Sequence, residues 1–326
     1  MKSRTEIIMD FPGDVFSAYR RIRPDIRRTD LELSEGLSGL SGGRVHVKWE
    51  GDQITGSFKL RGALNKLRTL SPEQRRAGVV TASTGNHGLA VAYAAKLERI
   101  DLTLFLPENA SAIKREKIEA TGIRPEFFGR DCEKTEIHAR AVASERGRVF
   151  ISPYNDADVI AGQGTTAVEI IDALSGLEAV IVPVGGGGLI AGIAGTIKSF
   201  FPGVRVFGVE PEVSAFMKAS IDAGQLVGFP ERPSVADGVA GGIEPGSMTF
   251  PLCRAYVDDY ILVSEEGIAR AMGLIHKLHG RIVEGAGALA VAGLLAAPER
   301  FQGQRVVCVS SGSNIDRRDF IAIARP

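Results

Sequence analysis

Gly56-Ser57-Phe58-Lys59-Leu60-Arg61-Gly62-Ala63 joins a strand-like run, residues 44–50, to a helix-like run, residues 60–67. Ser57 stands where an N-cap belongs, which predicts Lys59 in the first helical turn. A cation there faces the positive end of the helix dipole, and this favours the neutral amine. A neutral lysine amine is a nucleophile toward an aldehyde. A single lysine in such a place more commonly snorkels along a surface, its charge in water. The rest of the chain has to decide between the two.

Outward from this stretch, strand and helix patterns alternate. Short apolar strands are predicted at residues 79–82, 102–106 and 126–128, with helices at 89–97, 111–120 and 132–146. A second block places strands at 179–184, 204–209 and 305–309. Its helices fall at 164–174, 189–200, 214–223, 265–279 and 286–296, and residues 36–43 and 224–246 read as loops. Such alternation predicts an α/β protein of two open parallel sheets, each covered by helices. Glycine turns at strand ends in both blocks suggest a ligand between them.

Composition narrows the function classes. The 326 residues carry 39 basic and 39 acidic side chains, so no net field recruits nucleic acid or an anionic membrane. Cys132, Cys253 and Cys308 are far apart, without the close spacing of a zinc site or a disulfide framework. Residues 1–10 lack the apolar core of a signal peptide. Residues 179–197 are uncharged and about as long as a membrane span, but Pro183 and Gly185 to Gly188 break them near the middle. A soluble, cytoplasmic protein without a membrane or nucleic-acid partner is expected.

Gly185-Gly186-Gly187-Gly188-Leu189 lies between a predicted strand and a predicted helix. Backbone N–H groups there approach an anion closely, and the helix N-terminus adds its dipole, so phosphate binding is the natural reading. Gly186-x-Gly188-x-x-Ala191 also fits a dinucleotide fingerprint, with Glu210 placed for a ribose. That leaves a nicotinamide (NAD)-dependent oxidoreductase as the rival class. Ser83-Thr84-Gly85-Asn86-His87-Gly88 offers hydroxyls, an amide and backbone donors suited to a carboxylate. His276 and His279, with Glu284 nearby, lack a third histidine or an HExxH pattern, and a helix-surface placement is expected for them.

Taken together the motifs resemble the threonine/serine dehydratase and serine racemase family of pyridoxal-phosphate enzymes, of the tryptophan-synthase-β fold type (fold type II). The resemblance runs from Lys48-x-Glu50-x-x-Gln53-x-Thr55-Gly56-Ser57-Phe58-Lys59-x-Arg61-Gly62-Ala63 through Ser83 to Gly88. It continues with Val159 to Thr165, Gly185 to Leu189, Ala236-Asp237-Gly238, Glu284 and Ser311-Gly312-Ser313-Asn314. It implies that Lys59 carries pyridoxal 5′-phosphate covalently and, once freed, serves as base at the substrate Cα. Phe58 would pack near the ring, Asn86 would bond its O3′, and Gly185, Gly186, Gly187, Gly188 and Leu189 would hold the phosphate. Ser311 would face the ring nitrogen, Glu284 would lie by the cofactor, and Ser83, Thr84, Gly85, Asn86 and His87 would take the substrate carboxylate.

A serine opposite the ring nitrogen, unlike an aspartate, does not force its protonation, and the milder electron sink suits β-elimination. The implied reaction is dehydration and deamination of a small β-hydroxy-α-amino acid, such as L-threonine or L-serine, to a 2-oxo acid and ammonia. Amino-acid racemisation and elimination from 3-hydroxyaspartate are the alternatives within the class. Thr84 stands where the family's racemases place a catalytic serine, and its hydroxyl is a candidate acid or base on the second face. Glu210 matches the first carboxylate of the family's cation site, but Phe216 stands where the second belongs, so no metal is expected. Residues 1–77 with 156–326 would form the large cofactor domain, residues 78–155 a small domain closing on substrate, and two chains a homodimer.

Overall fold

The computed structural model describes residues 9–324 apart from 109, 111, 131 and 231. Strands β1 (Leu31–Leu33) and β2 (Arg44–Trp49) come first. β3 (Val79–Ala82), β4 (Leu102–Leu106), β5 (Glu126–Phe127) and β6 (Val149–Phe150) follow and form a sheet of their own. β7 (Ala179–Pro183), β8 (Arg205–Pro211), β9 (Asp259–Val263) and β10 (Arg305–Ser310) return to the first sheet. The larger sheet is ordered β1-β2-β10-β7-β8-β9 and the smaller β5-β4-β3-β6. Every neighbouring pair is parallel except β1 with β2, an antiparallel edge absent from the sequence expectation.

The central strands are apolar along both faces because helices cover both. In β10, Val306 and Cys308 pack with the helices Glu265–His279 and Gly285–Ala296, whereas Val307 and Val309 pack with Phe11–Ile22, Ala157–Ala173 and Gly188–Phe200. Period-two alternation is therefore invisible in the sequence, and the strands read as continuous hydrophobic runs. In the register, Val306 lies beside Val45 of β2 and Ala179 of β7. The segments leaving β2, β10 and β7 thus emerge at one edge of the sheet, where open α/β folds bind ligands.

Several local expectations differ. Residues 36–43, expected as a loop, contain the helix Glu35–Ser41, because the Ser34 hydroxyl accepts Leu37 N–H at 3.3 Å and Leu37 is buried. Gly42 ends it at φ 68°. The helix expected from residue 164 starts at Ala157, where the Asp156 carboxylate accepts Asp158 and Val159 N–H groups. The helix Thr249–Tyr256, strand β9 and the helix Arg317–Ala324 had no counterpart in the expectation. Residues 179–197 divide into β7 and the helix Gly188–Phe200, and no helix among the described residues is long and apolar enough to cross a membrane.

Candidate active site

Lys59 is the first residue of the helix Lys59–Thr69, but Ser57 does not cap it. Phe58 occupies the cap position with helical angles. Ser57 is instead bridged to Gly312 after β10, and its hydroxyl is buried without a partner. Phe58 N–H donates to Ser311 O at 3.1 Å, so the chain after β10 holds the start of this helix. The Lys59 amine donates to Pro153 O at 2.8 Å and lies 5.3 Å from the Phe58 ring centre. Burial alone lowers its pKa from 10.5 to about 8. The direction is the one expected from the sequence, and burial is its cause.

The glycine turn leaves β7 and enters the helix Gly188–Phe200 through Gly187, whose φ of 87° suits glycine. The first-turn N–H groups of that helix have no intrahelical acceptor and are donors for an anion. The outer side of the turn is closely backed. A Cβ on Gly186 would lie 2.4 Å from the Tyr154 ring, and one on Gly185 2.9 Å from the Val239 backbone. Thr249 Oγ1 donates to Gly186 O at 2.7 Å and fixes the turn from below. Such a cradle fits a phosphate.

Across the cleft, Ser311 Oγ donates to Ala286 O at 3.1 Å, a bond its hydroxyl can exchange for an aromatic nitrogen by rotating. Asn86, on the helix Asn86–Glu98 after β3, donates to Glu284 Oε1 at 2.6 Å and accepts from Asn314 Nδ2 at 2.6 Å. Asn314 also donates to Thr55 O at 2.8 Å, which joins this chain of amides to the Lys59 loop. Burial raises the Glu284 carboxyl to about 7, against the Asn86 bond that lowers it. Lys59, Phe58, Asn86, Glu284, Ser311 and the run Gly185 to Leu189 line one cleft of about 490 Å³, counting its open mouth.

Other expected residues stand beside the cleft. Ser83 Oγ accepts Gly85 N–H at 3.2 Å, and Thr84 and Gly85 are half-buried in the same turn. His87 is turned inward, its Nε2 at 3.0 Å from Ile151 O and 3.1 Å from Thr81 Oγ1. Burial, with a smaller effect of the Lys59 charge, lowers its pKa to about 3, so the ring is neutral. Glu210 accepts Met217 N–H at 2.9 Å and Lys218 N–H at 2.8 Å, and burial raises its carboxyl to about 7. Both its oxygens thus serve the start of the helix Phe216–Ala223. No group of three or more His, Cys, Asp or Glu side chains among the described residues is placed to hold a metal.

His279 is not turned to solvent: its side chain is buried, bonding Glu32 through Nδ1 and Ser34 through Nε2, both at 2.9 Å. It braces its helix to β1. His276 packs edge-on to Phe320. Glu284 belongs to the cleft, away from any histidine pair. Tyr154, Pro183, Val239 and Ala286 also line the cleft and were not singled out as site residues in the sequence; Tyr154 is the largest of them. It follows a two-residue strand, where no periodicity marks an inward ring.

The fold and cleft define an α/β enzyme site in which a desolvated lysine faces a phosphate cradle. The model of the family "Pyridoxal-phosphate dependent enzyme" matches residues 22–312, and the chain belongs to that family. It is 41% identical over 308 residues to the "L-threonine dehydratase catabolic TdcB" of Staphylococcus aureus strain N315, covering 93% of this chain and 89% of that protein. The solved processed form of threonine deaminase isoform 2 from Solanum lycopersicum superposes with a TM-score of 0.90 at 33% identity, covering 97% of this chain and 92% of that one. Maize serine racemase superposes with a TM-score of 0.89 at 33% identity, covering 94% of each chain. The cofactor is pyridoxal phosphate.

Proposed function

We propose that this protein dehydrates and deaminates a small, uncharged β-hydroxy-α-amino acid, L-threonine or L-serine, to a 2-oxo acid and ammonia. The observation that carries the reading is the Lys59 amine, desolvated beside the glycine cradle and opposite a serine rather than a carboxylate. Pyridoxal phosphate supplies the electron sink that makes the substrate Cα proton acidic. Lys59 holds the cofactor and takes the Cα proton. The amides of Gly185 to Leu189 bind the phosphate, Phe58 and Asn86 fix the ring, and Ser311 meets its nitrogen without forcing protonation. Thr84 and the turn around it receive the substrate carboxylate, and residues 78–155 close over it.

Among the described residues lining the cleft, Lys59 is the only cation and Glu284 the only carboxylate. A second carboxylate on the substrate would find no counter-charge and would meet Glu284, which disfavours 3-hydroxyaspartate. Purified protein should be yellow, borohydride should fix a pyridoxyl group on Lys59, and a 2-oxo acid should appear from threonine or serine. Turnover confined to an aspartate derivative would refute the substrate class. The same reading expects a cytoplasmic homodimer; sedimentation as a single chain would remove that part.

Gly186→Ala tests the cradle. Its new methyl would collide with the Tyr154 ring, so the turn must shift. Pyridoxal phosphate should bind about 10-fold more weakly, or more, while circular dichroism stays unchanged. Unaltered cofactor affinity would place the phosphate elsewhere.

A further inference from the structure

A second set of contacts reaches the cleft from the smaller sheet. Arg140, on the helix Cys132–Glu145, lies with its guanidinium 4.2 Å from the Phe150 ring centre of β6 and bonds Glu136 at 2.7 Å. The same nitrogen pairs with Glu244 Oε2 at 2.8 Å, across to the loop that follows residue 240. Glu244 Oε1 is buried without a partner. Glu244 N–H donates to the Tyr154 hydroxyl at 2.9 Å, and Met248 N–H donates to Asn155 Oδ1 at 2.9 Å. Tyr154 backs Gly186 with its ring and Gly188 with its backbone and Cβ, and the carbonyl just before it, Pro153 O, accepts from the Lys59 amine. Residues 153–155 therefore touch the lysine, the phosphate cradle and the Arg140–Glu244 pair at once.

We propose that Arg140 and Glu244 are positioning residues: their ion pair, passed on through Tyr154, sets the smaller layer over the cleft and holds residues 153–155 under Lys59. Neither side chain lines the cleft, so the pair acts on how tightly a small amino acid is gripped rather than on the bond-breaking step. Removing Arg140 leaves a carboxylate with one oxygen buried and both unpaired, whereas Glu244→Gln leaves no such charge. The first change is therefore the more damaging.

The holoenzyme, R140Q, E244Q, R140K and the double variant R140Q/E244Q test this, rest on the dehydratase reading for their substrate, and are compared with L-serine. R140Q should raise KM about 3–5-fold and E244Q somewhat less, with kcat within about twofold and pyridoxal phosphate retained. The double variant should be no worse than R140Q, and R140K should stay nearer to wild type. Wild-type KM should climb with salt while that of the single variants stays flat, a response that a purely steric role does not give. Unchanged KM in both single variants, additive effects in the double, or equal salt response in all would overturn the proposal. Hydrogen exchange along the helix Cys132–Glu145 is read on the same proteins without turnover. Faster exchange in R140Q supports the pair and unchanged exchange counts against it. Absence of bound cofactor, or of turnover in wild type, sinks the dehydratase reading instead.

Discussion

Lys59→Ala should lower 2-oxo acid formation from threonine or serine by on the order of 10³-fold or more, because the proposed holder of the cofactor and base at Cα would be lost together. The fold survives. Apart from the helix it begins, Lys59 makes one side-chain hydrogen bond among the described residues, to Pro153 O, and alanine is well tolerated at a helix start. The cofactor-free wild type adds a pH test. With its pKa lowered from 10.5 to about 8, the amine is roughly a quarter neutral at pH 7.5, against about a thousandth for an ordinary lysine. Capture of added pyridoxal phosphate, followed by absorbance, should accelerate as pH rises through about 8 and level off above it. Retained turnover in the variant, or capture still rising steeply near pH 10, would take Lys59 out of its role.

The route to that lysine was largely legible in the sequence, for a physical reason. Parallel sheets with both faces covered need apolar strands and glycine or polar turns at their ends, and those turns carry the site. The turns holding Gly185 to Gly188, Asn86 and Ser311 therefore marked strand ends and the lining of the cleft together. What escaped depends on tertiary placement. Ser57 looks like an N-cap locally, yet its partner is Gly312, 255 positions on. Tyr154 has no pattern around it, and its inward ring follows from the crossing between the two sheets. His279, expected on the helix surface, is held inward because Glu32 and Ser34 bond both its nitrogens. The Glu35–Ser41 helix was hidden by its glycines and serines, which outweighed a capping serine and one buried leucine.

Arg61→Met destabilises the protein by about 3–5 kcal/mol, a fall of roughly 5–15 °C in the unfolding midpoint. Arg61 lies two residues beyond Lys59 and is fully buried, bonding Glu50 at 2.8 Å and Glu169 at 2.8 and 2.9 Å. Lys48 completes a neutral quartet through Glu169 at 2.6 Å, and Thr29 donates to Glu50 at 2.6 Å. The quartet ties β2, the lysine helix and the helix Ala157–Ala173 together where Gly162 and Gly62 let the backbones meet: a Cβ on Gly162 would lie 2.6 Å from Gly62 Cα. Burial works against the Arg61 charge, but the two carboxylates hold it more firmly protonated than usual. Methionine keeps most of the volume and strands two buried carboxylates beside one lysine. Adding Glu169→Gln should recover part of the loss, since the pair rather than either residue sets the cost. The pH dependence has a definite sign. Burial pushes the Glu50 carboxyl up, yet Arg61 and Lys48 outweigh it, and the group sits below its ordinary 4.5. A depressed carboxyl stabilises above the unfolded pKa, and that contribution fades as pH falls through the folded one. The variant has lost its main source, so the gap between wild type and Arg61→Met in chemical denaturation should narrow below about pH 4.5. A gap that stays constant or widens in acid would mean that the lost stability is packing and not charge.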